Sequence, residues 1–200
     1  MTTLDDWLER IERQHPKSIE LGLERVREVA RRMRLSRPAR KVITVAGTNG
    51  KGSTVAFLEA IARAAGWRTG AYTSPHLLAY NERVRIDGRD AGDEELVAGF
   101  EAVEAARGDP PLTYVEYGTL CALWLFERAR LDLAVLEVGL GGRLDAVNLV
   151  DADVAVVTTA TSASTRFTAS RRPPRPTSST ASSSRARANS HNAHRVPYSK

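Results

Sequence analysis

Apolar residues recur at helical spacing over Asp5–Arg13 and again over Leu21–Met33, and Pro16 separates the two stretches, so the chain is predicted to open with a pair of helices. From Lys41 to Ala46 the pattern becomes a short, nearly continuous apolar run, which predicts a strand. Helical spacing resumes over Val55–Ala65 and stops at Gly66. Trp67–Thr73 fits a second strand, and Arg83–Ile86 leads into a hairpin turn at Asp87-Gly88. Asp93 is expected to cap a helix that reaches about Ala106, where Asp109-Pro110-Pro111 breaks it, and Val115–Ala129 is a further, largely apolar helix. Leu131–Val138 and Asp153–Val157 are rich in Val, Leu and Ala, the composition of parallel strands buried on both faces. Strands alternating with helices, without an internal repeat, predict an α/β fold: a doubly wound, mostly parallel sheet flanked by helices.

After Thr159 this order ends. Residues 160–200 are dominated by Ser, Thr, Arg, Ala and Pro, with Phe167, Val196 and Tyr198 as the only large apolar or aromatic anchors. Such a segment buries too little surface to offset chain entropy, so it is expected to be a disordered tail beside an ordered unit over residues 1–159. The tail also explains the net charge of +5. No Asp or Glu occurs from Val154 onward, and eight of the 29 basic residues lie there, which leaves 21 basic against 24 acidic side chains in residues 1–153. The body is thus mildly acidic, and no specific nucleic-acid partner is expected of it. The single cysteine, Cys121, excludes an internal disulfide and reads as core. No apolar run approaches a membrane span and no signal-like segment is visible, so a cytoplasmic location without a membrane partner is expected.

The most informative chemistry lies between the first strand and the helix that follows it. Residues 46–54 read Ala-Gly-Thr-Asn-Gly-Lys-Gly-Ser-Thr. Strand, Gly-rich loop and helix in this order form a phosphate-binding context. Gly47, Gly50 and Gly52 allow a tight curl, the amides of Thr48, Asn49 and their neighbours can point at phosphate oxygens, and the helix N-terminus adds positive potential. Lys51 supplies an ammonium for the β- and γ-phosphates, and Ser53 or Thr54 a hydroxyl for the accompanying metal. The pattern differs from the commonest P-loop, because Val45 stands five positions before Gly50 and Gly52, not a hydroxyl residue, follows the lysine.

Other positions admit two readings each. Ser74, in a Ser-Pro turn past the second strand, is either a turn residue or a ligand placed where open α/β sheets bind ligands. Glu137, inside an apolar strand, needs either a salt bridge or a hard cation. Thr113-Tyr114-Val115-Glu116 has the form of a capping box, a purely structural device. His76 reads as a turn histidine, Tyr114, Tyr117 and Trp124 as packing residues, and Arg143 and Asp145 as loop residues.

These segments together resemble one family. The loop Gly47–Thr54 is similar to that of the folylpolyglutamate synthase/dihydrofolate synthase branch of the Mur ligase superfamily. The segments 19–26 (Ile-Glu-Leu-Gly-Leu-Glu-Arg-Val), 73–77 (Thr-Ser-Pro-His-Leu) with Glu82-Arg83-Val84, 112–117 (Leu-Thr-Tyr-Val-Glu-Tyr) and 136–146 (Leu-Glu-Val-Gly-Leu-Gly-Gly-Arg-Leu-Asp-Ala) agree with it. The resemblance covers about residues 4–159 and is to the bifunctional bacterial form. It implies a Mur-ligase central-domain fold and an ATP- and Mg2+-dependent amide ligation. ATP phosphorylates the carboxylate of dihydropteroate or a folate, and the amino group of L-glutamate attacks the acyl phosphate. It implies Lys51 as the catalytic residue, nucleotide binding by Gly47, Thr48, Asn49, Gly50, Lys51, Gly52, Ser53 and Thr54, and magnesium ligation by Ser53, Ser74 and Glu137. It implies substrate contacts from Glu20, Leu21, Gly22, Thr113, Tyr114, Val115, Glu116 and Asp145, and a monomeric protein.

The chain also departs from that family. Where members continue into Gly-(Ile/Leu)-Asp-His and a downstream lysine, residues 159–165 read Thr-Ala-Thr-Ser-Ala-Ser-Thr. The C-terminal domain that serves glutamate is likewise missing from the sequence, so little or no ligation by this chain alone is expected. A shifted reading frame would account for the abrupt change, since one codon choice for residues 162–165 spells Gly-Ile-Asp a frame over. Two other functions remain open at this point: a Mur-type peptidoglycan ligase, and a non-enzymatic nucleotide- or nucleic-acid-binding fragment using the basic tail.

Overall fold

The computed structural model describes residues 2–14, 22–140 and 142–159. The reading of residues 160–200 as disordered and those for Glu20 and Leu21 lie outside the described residues. Helices α1 (Leu4–Gln14) and α2 (Glu24–Arg32) precede strand β1 (Ala39–Ala46) and helix α3 (Lys51–Ala64). Strand β2 (Thr69–Tyr72), the short strands β3 (Val84–Ile86) and β4 (Arg89–Asp90), and helices α4 (Asp93–Arg107) and α5 (Tyr114–Ala129) follow. Strand β5 (Leu131–Glu137), two short 3-10 turns and strand β6 (Val154–Val157) complete the described unit.

The strands form one sheet in the order β4-β3-β2-β5-β1-β6. β2, β5, β1 and β6 run parallel, and the β3–β4 hairpin extends the β2 edge antiparallel. The hairpin turns at Asp87 and Gly88, both at positive φ, as the Asp-Gly pair predicted. Because side chains alternate along a strand, β5 supplies two cores at once. Leu133 and Val135 pack with Val45, Ala71, Val55 and Ala62 beneath α3. Ala134 and Leu136 face the larger core built by α1, α2, α4 and α5. That core includes Trp7, Phe100, Tyr117, Leu120, Phe126 and Cys121, all buried. Position 137 shares the α3 face with Leu133 and Val135, and this alternation aims the Glu137 side chain at the start of α3.

Several element boundaries differ from the sequence reading for local reasons. α3 begins at Lys51 rather than Val55, because Gly50 in the left-handed region forms the N-cap and the loop passes directly into the first helical turn. Asp93 is the first residue of α4 and not its cap. The chain enters at Gly92, whose N–H donates to Glu95 Oε2 at 2.7 Å. β5 is buried almost throughout, as expected, whereas β6 is not: Val154 and Val157 are 51% and 44% exposed. The reason is position, since β6 pairs only with β1 and is the outer strand of the described sheet. Phe57 and Ile61, one turn apart on the outer side of α3, are also exposed.

A charged knot ties three helices together. Glu104 of α4 accepts from Arg10 of α1 at 2.6 Å, from Arg107 at 3.0 and 3.1 Å, and from the Tyr117 hydroxyl of α5. Hydrogen bonding from Arg107 leads the effects that hold the Glu104 carboxyl down at about 2. A carboxylate depressed in the folded state adds stability above its unfolded pKa of roughly 4.3, and that stability is lost as pH falls towards the folded value. Glu104→Gln is therefore expected to cost about 1–2 kcal/mol at pH 7 after solvent screening, and almost nothing near pH 2. Chemical denaturation of the two proteins across this pH range checks it.

Candidate phosphate and metal site

All four parallel strands end on the same edge of the sheet, where open α/β folds place ligands. β1 runs into the glycine loop, β2 into Ser74, β5 ends at Glu137, and β6 runs into Thr158 and Thr159.

In the loop, the first bond of α3 is from Thr54 N–H to Gly50 O at 3.0 Å. The N–H groups of Lys51, Gly52 and Ser53 therefore stand at the helix start without an acceptor one turn back, the arrangement that favours an anion. Thr54 spends its hydroxyl proton on Gly50 O at 2.8 Å, whereas Ser53 is exposed. Of the two hydroxyls read as alternatives in the sequence, Ser53 is the one left open. The first limb of the loop is engaged differently. Thr48 N–H donates to Thr159 O at 2.7 Å, and Asn49 N–H to Thr159 Oγ1 at 3.2 Å. These two amides bond to Thr159, just past β6, and not to the open face of the loop. Gly47 is required by close approach, since a Cβ there would lie 2.1 Å from Thr158 Oγ1.

Lys51 Nζ lies 3.8 Å from Glu137 Oε1, with side chains only 16% and 5% exposed. Ser74 N–H donates to Glu137 Oε2 at 3.2 Å. Burial raises the Glu137 carboxyl above its ordinary range, while the Ser74 N–H, Lys51 and Arg85 pull it back. A carboxylate in this setting favours a cationic neighbour. Gly52 leaves the approach to Glu137 open, for Glu137 Oε2 is the nearest atom to a Cβ built there, at 3.9 Å. Beside this group, Gly139 separates Ser74 from Asp145: a Cβ on Gly139 would lie 3.2 Å from Ser74 Oγ and 3.4 Å from Asp145 Oδ2. Asp145 is buried and raised by burial, and it accepts from Leu140 N–H at 2.8 Å and Val147 N–H at 3.0 Å. It thus folds the loop after β5 back on itself. Arg143 is exposed.

Among the described residues, no cluster of three His, Cys, Asp or Glu side chains is placed to hold a metal. The donors gathered here suit a different arrangement, in which hydroxyl oxygens, one carboxylate and a ligand's own phosphates share a hard cation.

The remaining sequence candidates form a separate structural layer. Thr113 and Glu116 make the expected capping box, with Thr113 N–H to Glu116 Oε2 at 2.8 Å and Glu116 N–H to Thr113 Oγ1 at 3.3 Å. Glu116 also pairs with Arg25 of α2 at 3.2 Å, so its carboxylate is buried and engaged. Tyr114 and Val115 are half-buried, and Tyr114 sets its ring edge-on to Tyr80 at 5.8 Å with the Arg83 guanidinium over it. Tyr117 is fully buried, as its packing reading required. Gly22 stands just before α2. Sequence reasoning overlooked three features near the site. Arg83 donates to His76 Nδ1 at 2.8 Å. Glu82 gathers the N–H groups of Leu77, Leu78 and Ala79 at 2.7–2.9 Å. Thr158 and Thr159 grip the loop. A hydroxyl pair following a strand beside the glycine loop is the only sequence signal that points to the last of these.

The fold and the loop define an α/β domain of the Mur ligase type, with a glycine loop at the carboxyl edge of its sheet. Over 156 residues the chain is similar in sequence and structure to dihydrofolate synthase/folylpolyglutamate synthases. The Escherichia coli enzyme of that name is 58% identical over 156 residues, which cover 78% of this chain and 37% of the relative. The Haemophilus influenzae enzyme is 51% identical over the same length. Among solved structures, Escherichia coli FolC in complex with DHPP and ADP superposes with a TM-score of 0.77 at 58% identity, covering 78% of this chain and 38% of that one. The Yersinia pestis enzyme complexed with AMPPNP and a Mn ion gives 0.76 at 57% identity, over 78% of this chain and 38% of its own. This chain therefore spans less than two-fifths of the length of these relatives. No family model matches it.

Because burial disfavours the charged Glu137, removing the charge should stabilise the ligand-free chain. Glu137→Gln is expected to raise the thermal midpoint at pH 7 by a few degrees, about 0.5–1 kcal/mol, with less gain at pH 4, where the native carboxyl takes up a proton. Scanning calorimetry at the two pH values checks both sign and pH dependence.

Proposed function

We propose that residues 1–159 are the nucleotide-binding part of a dihydrofolate synthase/folylpolyglutamate synthase, which joins L-glutamate to dihydropteroate or a folate through an acyl phosphate. The observation that carries this reading is the buried Glu137 carboxylate, held by Lys51 and the Ser74 N–H at the mouth of a glycine loop. Relatives at 57–58% identity solved with ADP, or with AMPPNP and manganese, support nucleotide and divalent metal as ligands here. Their names favour a folate substrate over a peptidoglycan precursor.

The division of labour follows from the geometry. The amides of Lys51, Gly52 and Ser53 receive phosphate oxygens along the α3 axis. Lys51 would serve a phosphate, and Glu137 with the hydroxyls of Ser53 and Ser74 would hold a divalent cation beside it. Bound Mg2+-ATP supplies the phosphoryl group that turns a poorly electrophilic carboxylate into an acylating agent. Preorganised amides and the ammonium stabilise the charge on the transferring group without reorganising during the reaction. The resemblance to the family supports Gly22, Thr113, Tyr114, Val115 and Asp145, with Glu20 and Leu21 before Gly22 in the chain, as contacts for the pterin-bearing substrate. Glu116 acts there by fixing the start of α5. The protein works as a cytoplasmic monomer. No helix among the described residues is long and apolar enough to cross a membrane.

Calorimetric titration with Mg2+-ATP tests the reading. The wild-type chain is expected to bind, and Lys51→Ala to weaken binding by about 100-fold, the scale of a lost charge-assisted contact of roughly 1.5–3 kcal/mol. Saturating Mg2+-ATP without heat or protection in the wild-type chain would refute it.

A further inference from the structure

The mouth of the glycine loop is braced from the neighbouring strand by two hydroxyl residues that the proposed chemistry does not use. Thr158 and Thr159 follow the last residue of β6. Thr158 N–H continues the strand pairing to Ala46 O at 2.9 Å. Its hydroxyl lies 2.6 Å from Asn49 O and 3.3 Å from Ala46 O. Thr159 O accepts both the N–H of Thr48 at 2.7 Å and the Thr48 hydroxyl at 2.9 Å, and Thr159 Oγ1 accepts the Asn49 N–H at 3.2 Å. Thr159 Oγ1 also lies 3.2 Å from Asn49 O. Ala46 O, Thr48 N–H, Asn49 N–H and Asn49 O thus all bond to these two residues. Gly47 has no room for a side chain because Thr158 occupies that space.

We infer that Thr158 and Thr159 are positioning residues for the phosphate loop. They clamp residues 46–49 against the end of β6 so that the turn at Gly50 is fixed and the amides of Lys51, Gly52 and Ser53 are presented together. The physical reason is entropic. A loop with glycines at 47 and 50, leading to Gly52 in the first helical turn, has more backbone freedom than one built of other residues, and order that a ligand would otherwise impose weakens its binding. Two acceptor oxygens that receive three hydrogen bonds, and two hydroxyl donors, all on one dipeptide, supply that order beforehand. The clamp holds the amides of Thr48 and Asn49 and leaves those of the helix start open, so it shapes the site without blocking it. This inference rests on the loop being the phosphate site, and its test separates the two.

Thr159→Val keeps the shape and the carbonyl of residue 159 but removes the acceptor for Asn49 N–H. Amide exchange measured by NMR on the nucleotide-free chain should then show Asn49 exchanging about tenfold faster, as expected for the loss of one hydrogen bond, with Thr159→Ser restoring the wild-type rate. Mg2+-ATP affinity should fall by about fivefold to tenfold in Thr158→Val and in Thr159→Val, and recover in the serine variants, while the thermal midpoint of the nucleotide-free chain stays unchanged. Thr159, exposed and at the strand end, decides the matter if Thr158→Val does not fold. Unchanged exchange at Asn49 in Thr159→Val overturns the inference, and so does a gain in ATP affinity, which would make the dipeptide a plug rather than a brace. If the wild-type chain binds no Mg2+-ATP, the functional reading fails, and the exchange measurement still decides whether the clamp exists.

Discussion

A carboxylate buried at the end of a central strand constrains everything around the site. Glu137 is 4% exposed, which is costly for an ion unless charge and hydrogen bonds meet it. The strand alternation that buries Leu133 and Val135 beneath α3 forces Glu137 onto the same face, where the start of α3 brings Lys51. The end of β2 brings the Ser74 N–H to its other oxygen. Three strands and one helix must therefore end at the same level of the sheet for this group to be tolerated at all. The same convergence leaves a cationic slot beside an anion-favouring helix start.

This pairing is better suited to exchange than to rigidity. At 3.8 Å, Lys51 and Glu137 make a loose ion pair, and burial keeps the carboxyl raised despite it. Such a group gains from a stronger cation. A lysine on the first turn of a helix that also points amides at an anion gains from a phosphate. A metal-bound nucleotide satisfies both at once.

Three other carboxylates, by contrast, are engaged in the architecture. Glu116 closes the capping box of α5 and meets Arg25. Glu82 collects the three amides before its own turn, and Asp145 collects those of the loop after β5. A family motif thus contains both chemistry and scaffolding, and motif membership alone does not separate them. The burial and the partners of each carboxylate do.

The sequence by itself determined the order of elements and the identity of the loop. Apolar periodicity is a local property, and so are the Asp-Gly turn, the Thr-x-x-Glu cap and the glycine spacing around Lys51, which is why each could be read from a few neighbouring residues. Burial of β6 was misjudged because a Val-rich run has the same composition in the middle of a sheet and at its edge, and only strand order tells them apart. The meeting of Lys51, Ser74 and Glu137, the grip of Thr158 and Thr159 on residues 46–49, and the choice of Ser53 over Thr54 as the open hydroxyl join positions tens of residues apart or depend on side-chain rotation. The tertiary structure alone decided these, because contacts across a sheet are fixed by strand order and register, which no local pattern encodes.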